Sequence, residues 1–217
     1  MSKNATENSI VKEARAEIIS ATATLKRGEV IAFPTETLYG LGADALNPTA
    51  VEKVFQLKSR ASQNPIPVLV ADREMLLSLV VTIPSLAEKL ISRFWPGPLT
   101  IILPARSDIP RPLINGSGGI GVRISSQPIA TELVKALGRP LTATSANPSG
   151  RPPARTVQQA KDYFSDQIKI YVDGGKLASK TGSTVVEILV DALRIIRAGD
   201  IDRLILEDLL GAERIVA

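Results

Sequence analysis

Two short segments of the chain combine groups that bind anions. Lys58-Ser59-Arg60 places two cations at the end of a helical pattern. Ser145-Ala146-Asn147-Pro148-Ser149-Gly150-Arg151, with Arg155 close behind, sets hydroxyls, an amide and two arginines in a proline-stiffened loop after a short apolar strand. Alone, the first pair suits the negative end of a helix dipole. The second segment makes poor packing material and good material for an anion cradle, because the guanidinium fork matches phosphate and carboxylate geometry. A third segment, Phe33-Pro34-Thr35-Glu36-Thr37-Leu38-Tyr39-Gly40-Leu41-Gly42, ends a strand with proline, two hydroxyls and a carboxylate before two glycines. It reads either as a tight turn or as a loop at the carboxyl end of a strand, where open α/β sheets bind ligands.

Gly116-Ser117-Gly118-Gly119-Ile120-Gly121 has the G-x-G-x-x-G spacing of a dinucleotide site. That chemistry needs a strand before the glycines and a helix N-terminus after them. Here a proline-rich segment precedes and a strand follows, so the segment reads as a flexible loop able to touch a phosphate. There is no G-x-x-x-x-G-K-[ST], so bound ATP would not rest on a loop of that kind. The chain has no histidine and no cysteine. Ser-His-Asp and Cys-His engines are therefore excluded. Zinc normally rests on imidazole or thiolate, which leaves oxygen-ligated ions such as Mg²⁺.

These segments need elements to carry them. The 217 residues are 44% hydrophobic, enough for one large domain or two small ones. Ile10, Val11, Ala14, Ile18 and Leu25 recur at helical spacing up to Gly28, ahead of a strand at Val30 to Phe33. Asn47-Pro48 supplies an N-cap and a first-turn proline for a helix carrying Val51, Val54, Phe55 and Lys58. Further strands are expected at 67–71, 99–103, 121–124, 141–144, 169–172, 184–189 and 194–197. Further helices are expected at 75–80, 85–94, 129–137, 157–164 and 201–210. Strands alternating with helices give an α/β fold. There is no 20- to 50-residue repeat, no leader-like apolar segment at the amino terminus and no run long enough to span a membrane, so a soluble cytoplasmic protein is expected. The 26 Lys and Arg against 22 Asp and Glu leave +4, a slight bias toward anionic partners.

Several motifs then stand in one order: Pro34-Thr35-Glu36-Thr37-x-Tyr39-Gly40-Leu41-Gly42, Lys58-x-Arg60, Asn64-Pro65, Trp95-Pro96-Gly97-Pro98-x-Thr100, Val122-Arg123, Ser145-Ala146-Asn147-x-Ser149-Gly150, Gly182-Ser183-Thr184 and Arg197-Ala198-Gly199. In this set, from about residue 12 to residue 200, the chain resembles the YrdC-like family. The resemblance implies a twisted open mixed α/β sheet flanked by helices, with a positively charged concave face. It also implies a single domain over 1–217, with its core at about 12–200 and no additional C-terminal domain. The implied activity is nucleotidyl transfer: L-threonine, bicarbonate and ATP, with Mg²⁺ accompanying the nucleotide, give L-threonylcarbamoyladenylate and pyrophosphate. The product serves N6-threonylcarbamoyladenosine formation in tRNA through a downstream threonylcarbamoyl transferase.

Carried over by motif, Thr35, Arg123, Ala143 and Ser183 are expected to hold L-threonine, Ala143 through its backbone. Lys58, Arg60, Asn64, Ser145 and Arg197 are expected to hold ATP. Lys58, Arg60, Ser145 and Asn147 form the catalytic set, and no protein-held metal site is implied. Lys58/Arg60 and Ser145/Asn147 are the pairs that a related YciO-type branch lacks. The chain departs from the family where K-G-R-P is replaced by Lys58-Ser59-Arg60-Ala61, and where Leu69 stands at the place of a histidine. Two alternatives remain at this level. One is a binding module holding tRNA or other structured RNA on a basic face without chemistry, which one Trp, three Tyr and four Phe equip poorly for base stacking. The other is a carbamoyl-transfer paralogue.

Overall fold

The computed structural model describes residues 3–59 and 65–216, with side chains from residue 15 onward. Helix α1 (Lys3–Lys26) stops before Gly28, whose φ of 74° lets the chain turn into β1 (Ile31–Pro34). Side chains alternate across β1, so Ile31 and Phe33 enter a core shared with α1 and with α5 (Pro128–Leu137), while Ala32 faces the main core. The hairpin continues into β2 (Tyr39–Gly42), a strand not expected from sequence because two of its four residues are glycine. The glycines are there for space: a Cβ on Gly42 would stand 2.8 Å from Cε1 of Phe33, and one on Gly40 3.2 Å from the same atom. Helix α2 (Pro48–Lys58) starts as its sequence says, with Asn47 Oδ1 accepting from Ala50 N and Pro48 in the first turn.

The remaining strands are β3 (Val68–Leu69), β4 (Leu99–Pro104), β5 (Gly119–Arg123), β6 (Leu141–Thr142), β7 (Thr144–Ser145), β8 (Ile170–Tyr171), β9 (Thr184–Ile188), β10 (Leu193–Arg197) and β11 (Ile215–Val216). The helices are α3 (Arg73–Leu77), α4 (Ser85–Phe94), α6 (Val157–Phe164) and α7 (Arg203–Leu210). The strands form two mixed sheets, ordered β7-β2-β1-β8 and β11-β10-β9-β4-β5-β3-β6. The expected strand at 141–144 is really two. Leu141 and Thr142 pair with β3, whereas Thr144 and Ser145 pair with β2. Ala143 lies at the crossing and donates its N–H to Pro67 O at 2.8 Å, while Thr142 Oγ1 accepts from Ala43 N. A single extended run thus changes sheets and joins them. Among the described residues no helix is long and apolar enough to cross a membrane.

Candidate ligand cleft between the two sheets

In a strand, every second side chain shares a face. On β4, β5 and the run into β9, one alternation is fully apolar and buried: Leu99, Ile101, Leu103, Ile120, Val122 and Val186. The other set contains Thr100, Ile102, Gly119, Gly121, Arg123, Ser183 and Val185, and all of these line a cleft of about 480 Å³. Register makes them neighbours, because Thr100 pairs with Val185 and Ile102 with Gly121. The glycines keep the floor low: a Cβ on Gly119 would lie 2.5 Å from Ile102 Cγ2. The opposite wall comes from the other sheet, through Thr35, Thr37, Leu38, Tyr39 and Gly40 on one side and Thr144 and Ser145 on the other.

The Thr35–Leu38 turn is built by hydroxyls. Thr35 Oγ1 donates to Leu38 O at 2.7 Å and accepts from the N–H groups of Thr37 and Leu38. It also meets Thr37 Oγ1 at 3.0 Å. Thr35 thus organises the turn, and the turn lines the cleft. Thr37 Oγ1 faces Arg123 Nη1 at 3.5 Å. Arg123 is buried, and Glu36 Oε1 lies 3.4 Å from the same nitrogen. Burial pushes the guanidinium below its ordinary pKa, while the charges of Glu36 and Asp200 act to raise it. Ser183 Oγ meets Thr100 Oγ1 at 3.0 Å and accepts from Arg197 Nη2 at 3.0 Å. Arg197 also clasps Ser183 O through Nε and Nη2.

Six of the residues expected from sequence meet on this cleft: Thr35, Arg123, Ala143, Ser145, Ser183 and Arg197. Lys58 and Asn147 sit behind the Ser145 edge. Lys58 is buried, and its ammonium donates to Ser145 O at 2.6 Å, Asn147 O at 2.8 Å and Asn147 Oδ1 at 3.4 Å. Asn147 in turn donates to Pro148 O and Arg151 O. The two motifs therefore form one structure, a helix end tied to a loop. Arg60 and Asn64 lie outside the described residues. Arg155 is turned away from the expected cradle and donates to the carbonyls of Leu177 and Ala178. The segment at 116–121 is also not a slack loop. Asn115 Oδ1 accepts from Ser117 N and Gly119 N, and Glu187 holds Ser117 and Asn115.

Thr37 and Thr100 stand within the sequence motifs but were given no site role there, and Asp200 was left out. For Thr100 a signal existed, a lone hydroxyl between Leu99 and Ile101 on a strand. Asp200 Oδ1 accepts from Ser179 and Thr181 and so closes the loop before Ser183. Its partners lie on another strand connection, so local sequence carries no signal for it. Among the described residues no three His, Cys, Asp or Glu side chains converge to hold a metal ion. The cations and hydroxyls that line the cleft do not suit a resident Mg²⁺.

Residues 23–199 match the protein family Sua5_yciO_yrdC, described as telomere recombination. Two proteins called threonylcarbamoyl-AMP synthase are similar over 90% of the chain: one from Pyrococcus abyssi at 37% identity and one from Bacillus subtilis at 38%. The chain spans 57% of the length of each. Among solved structures, P. abyssi Sua5 complexed with L-threonine superposes with a TM-score of 0.87 at 37% identity, over 92% of this chain and 58% of that one.

Proposed function

The chain belongs to the Sua5/YciO/YrdC family, and from that premise we propose that it is a nucleotidyltransferase making L-threonylcarbamoyladenylate. L-Threonine and bicarbonate lose water to form the N-carboxylate of threonine. A carbamate oxygen then attacks the α-phosphorus of ATP, one P–O bond forms, and the bond to pyrophosphate breaks. Both the nucleophile and the leaving group come from the substrates. This suits a chain without histidine or cysteine.

The observation that carries the reading is the two-ended cleft. At one end the buried Arg123 stands with the hydroxyls of Thr37 and Ser183 beside the turn that Thr35 organises, a set able to pair the carboxylate and hydroxyl of a small amino acid. At the other end Ser145 borders the space beside the Lys58–Asn147 latch, while Arg197 lines the cleft next to Ser183. By the family's motifs the nucleotide is assigned to Lys58, Arg60, Asn64, Ser145 and Arg197, and the backbone of Ala143 to L-threonine. Lys58 and Asn147 serve this end by fixing the Ser145 loop. Transfer at phosphorus is mainly positioning plus neutralisation of charge, and one preorganised donor to such a transition state is worth roughly 2.7 to 4 kcal/mol. A concave space of this size suits small molecules better than an RNA helix. The L-threonine complex of P. abyssi Sua5 supports the amino-acid end. A cytoplasmic YrdC-like domain with its core at about 12–200, handing its product to a transferase that acts on tRNA, completes the proposal.

The test is incubation with ATP, Mg²⁺, L-threonine and labelled bicarbonate, followed by mass spectrometry for the labelled adenylate and measurement of pyrophosphate. Product that needs all three substrates is expected. Pyrophosphate release independent of threonine would overturn the reading.

A further inference from the structure

A buried guanidinium is an expensive group unless its charge is balanced, and the way it is balanced decides what else it can bind. Arg123 leaves β5 with its side chain inside the cleft wall. Among the described residues its one hydrogen-bond partner is Thr37 Oγ1, at a long 3.5 Å. Its ion-pair partner, Glu36, stands 3.4 Å away, outside good hydrogen-bond geometry. Glu36 Oε1 is itself buried and takes no hydrogen bond in the structure. The other oxygen, Oε2, accepts from Ser125 Oγ. Ser125 is fixed in turn: its Oγ accepts from Gln127 N at 3.2 Å and its carbonyl accepts from Thr131 Oγ1 at 3.1 Å.

Glu36 is thus clamped at one oxygen by the segment leading into α5, and offers its other oxygen to Arg123 as charge without occupying the fork. A carboxylate seated bidentately would have filled the donors that an incoming ligand needs. A second carboxylate, Asp200, acts on Arg123 from the loop after β10, where Ser179 and Thr181 hold it. Without Glu36 the guanidinium would have Asp200 as its remaining counter-charge.

We infer that Glu36, locked by Ser125, is a positioning residue that keeps the Arg123 fork aimed into the cleft for the carboxylate of the amino-acid substrate. This rests on the proposed function and deepens it. Glu36 does not touch the substrate; it acts through Arg123, and only at the amino-acid end.

Calorimetric titration of L-threonine and, separately, of ATP into wild type, Glu36→Gln and Ser125→Ala tests it, with thermal melts to establish folding. Glu36→Gln is expected to weaken L-threonine about tenfold or more, while ATP stays within about twofold. Ser125→Ala, which frees the Glu36 rotamer but keeps its charge, is expected to weaken L-threonine about three- to tenfold, and Ser125→Thr to restore it. Should Glu36→Gln not fold, the two Ser125 variants decide. Unchanged L-threonine affinity in the folded variants overturns the inference alone, as does parallel weakening of L-threonine and ATP. A wild-type protein that binds no L-threonine overturns the proposed function and the inference with it.

Discussion

Tyr39 is the fully buried side chain through which one wall of the cleft is held in place. Its hydroxyl accepts from Gly174 N and lies within bonding distance of Asp173 Oδ1 and Gly175 O. Burial first, then the neighbouring Asp173, pushes its pKa up to about 12. A folded-state pKa above the unfolded value near 10 means that the native state keeps the proton longer. Stability from this group is therefore complete below about pH 10 and is lost as pH rises toward 12. Chemical denaturation between pH 8 and about pH 12 is expected to show this fall, and Tyr39→Phe to reduce it. At neutral pH the same variant is expected to cost about 1 to 3 kcal/mol, because Gly174 N loses its buried partner. The sequence singled out Tyr39 within the Thr35–Gly42 segment. It gave no hint of the 173–175 loop, since a hydroxyl's partner depends on which distant backbone the fold brings within 3 Å.

At the scale of elements, the connection after β10 runs tightly against the entry to β9. A Cβ on Gly199 would stand 2.4 Å from Ser183 C and Thr184 N, and 2.5 Å from Gly182 O. These are backbone atoms, so nothing can rotate away. Gly199→Ala is expected to destabilise the protein by roughly 1 to 3 kcal/mol, as overpacking does. It should also displace the Ser183–Arg197 contact, read as a lower melting temperature together with weaker L-threonine binding. A Gly199→Ala protein with wild-type melting and binding would show that the strand connection tolerates separation. Element positions were largely readable here. Helices 85–94 and 157–164 lie where their periodicity places them, the second also capped by Thr156, whose Oγ1 accepts from Gln159 N. The strand at 39–42 was not, because glycine lowers strand propensity while serving the close approach of Phe33.

For the whole molecule, the decisive feature is that the cleft belongs to neither sheet alone. A ligand that touches both walls binds the folded chain and has no equivalent site on the unfolded one. L-Threonine with a non-hydrolysable ATP analogue, each at about 100 times its dissociation constant, is expected to stabilise the fold by at least about 2.7 kcal/mol. The rise in thermal midpoint with ligand concentration measures it, and a midpoint indifferent to both ligands would contradict binding between the sheets. The amino-acid sequence by itself determined the chemistry that was impossible, through the absence of histidine and cysteine. It also determined the family, through motifs in one order along the chain, and most helices, through local periodicity and capping. Only the tertiary structure decided that residues 141–145 divide between two sheets at Ala143, that the Lys58 ammonium ties down the Ser145–Asn147 loop, and that Glu36 balances Arg123 without filling its fork. Caps and periodicity act within a few residues and are written locally. Strand pairing, burial of a charge and the choice of partner for a hydroxyl are set by groups far apart in sequence, and exist only once the sheets have closed around the cleft.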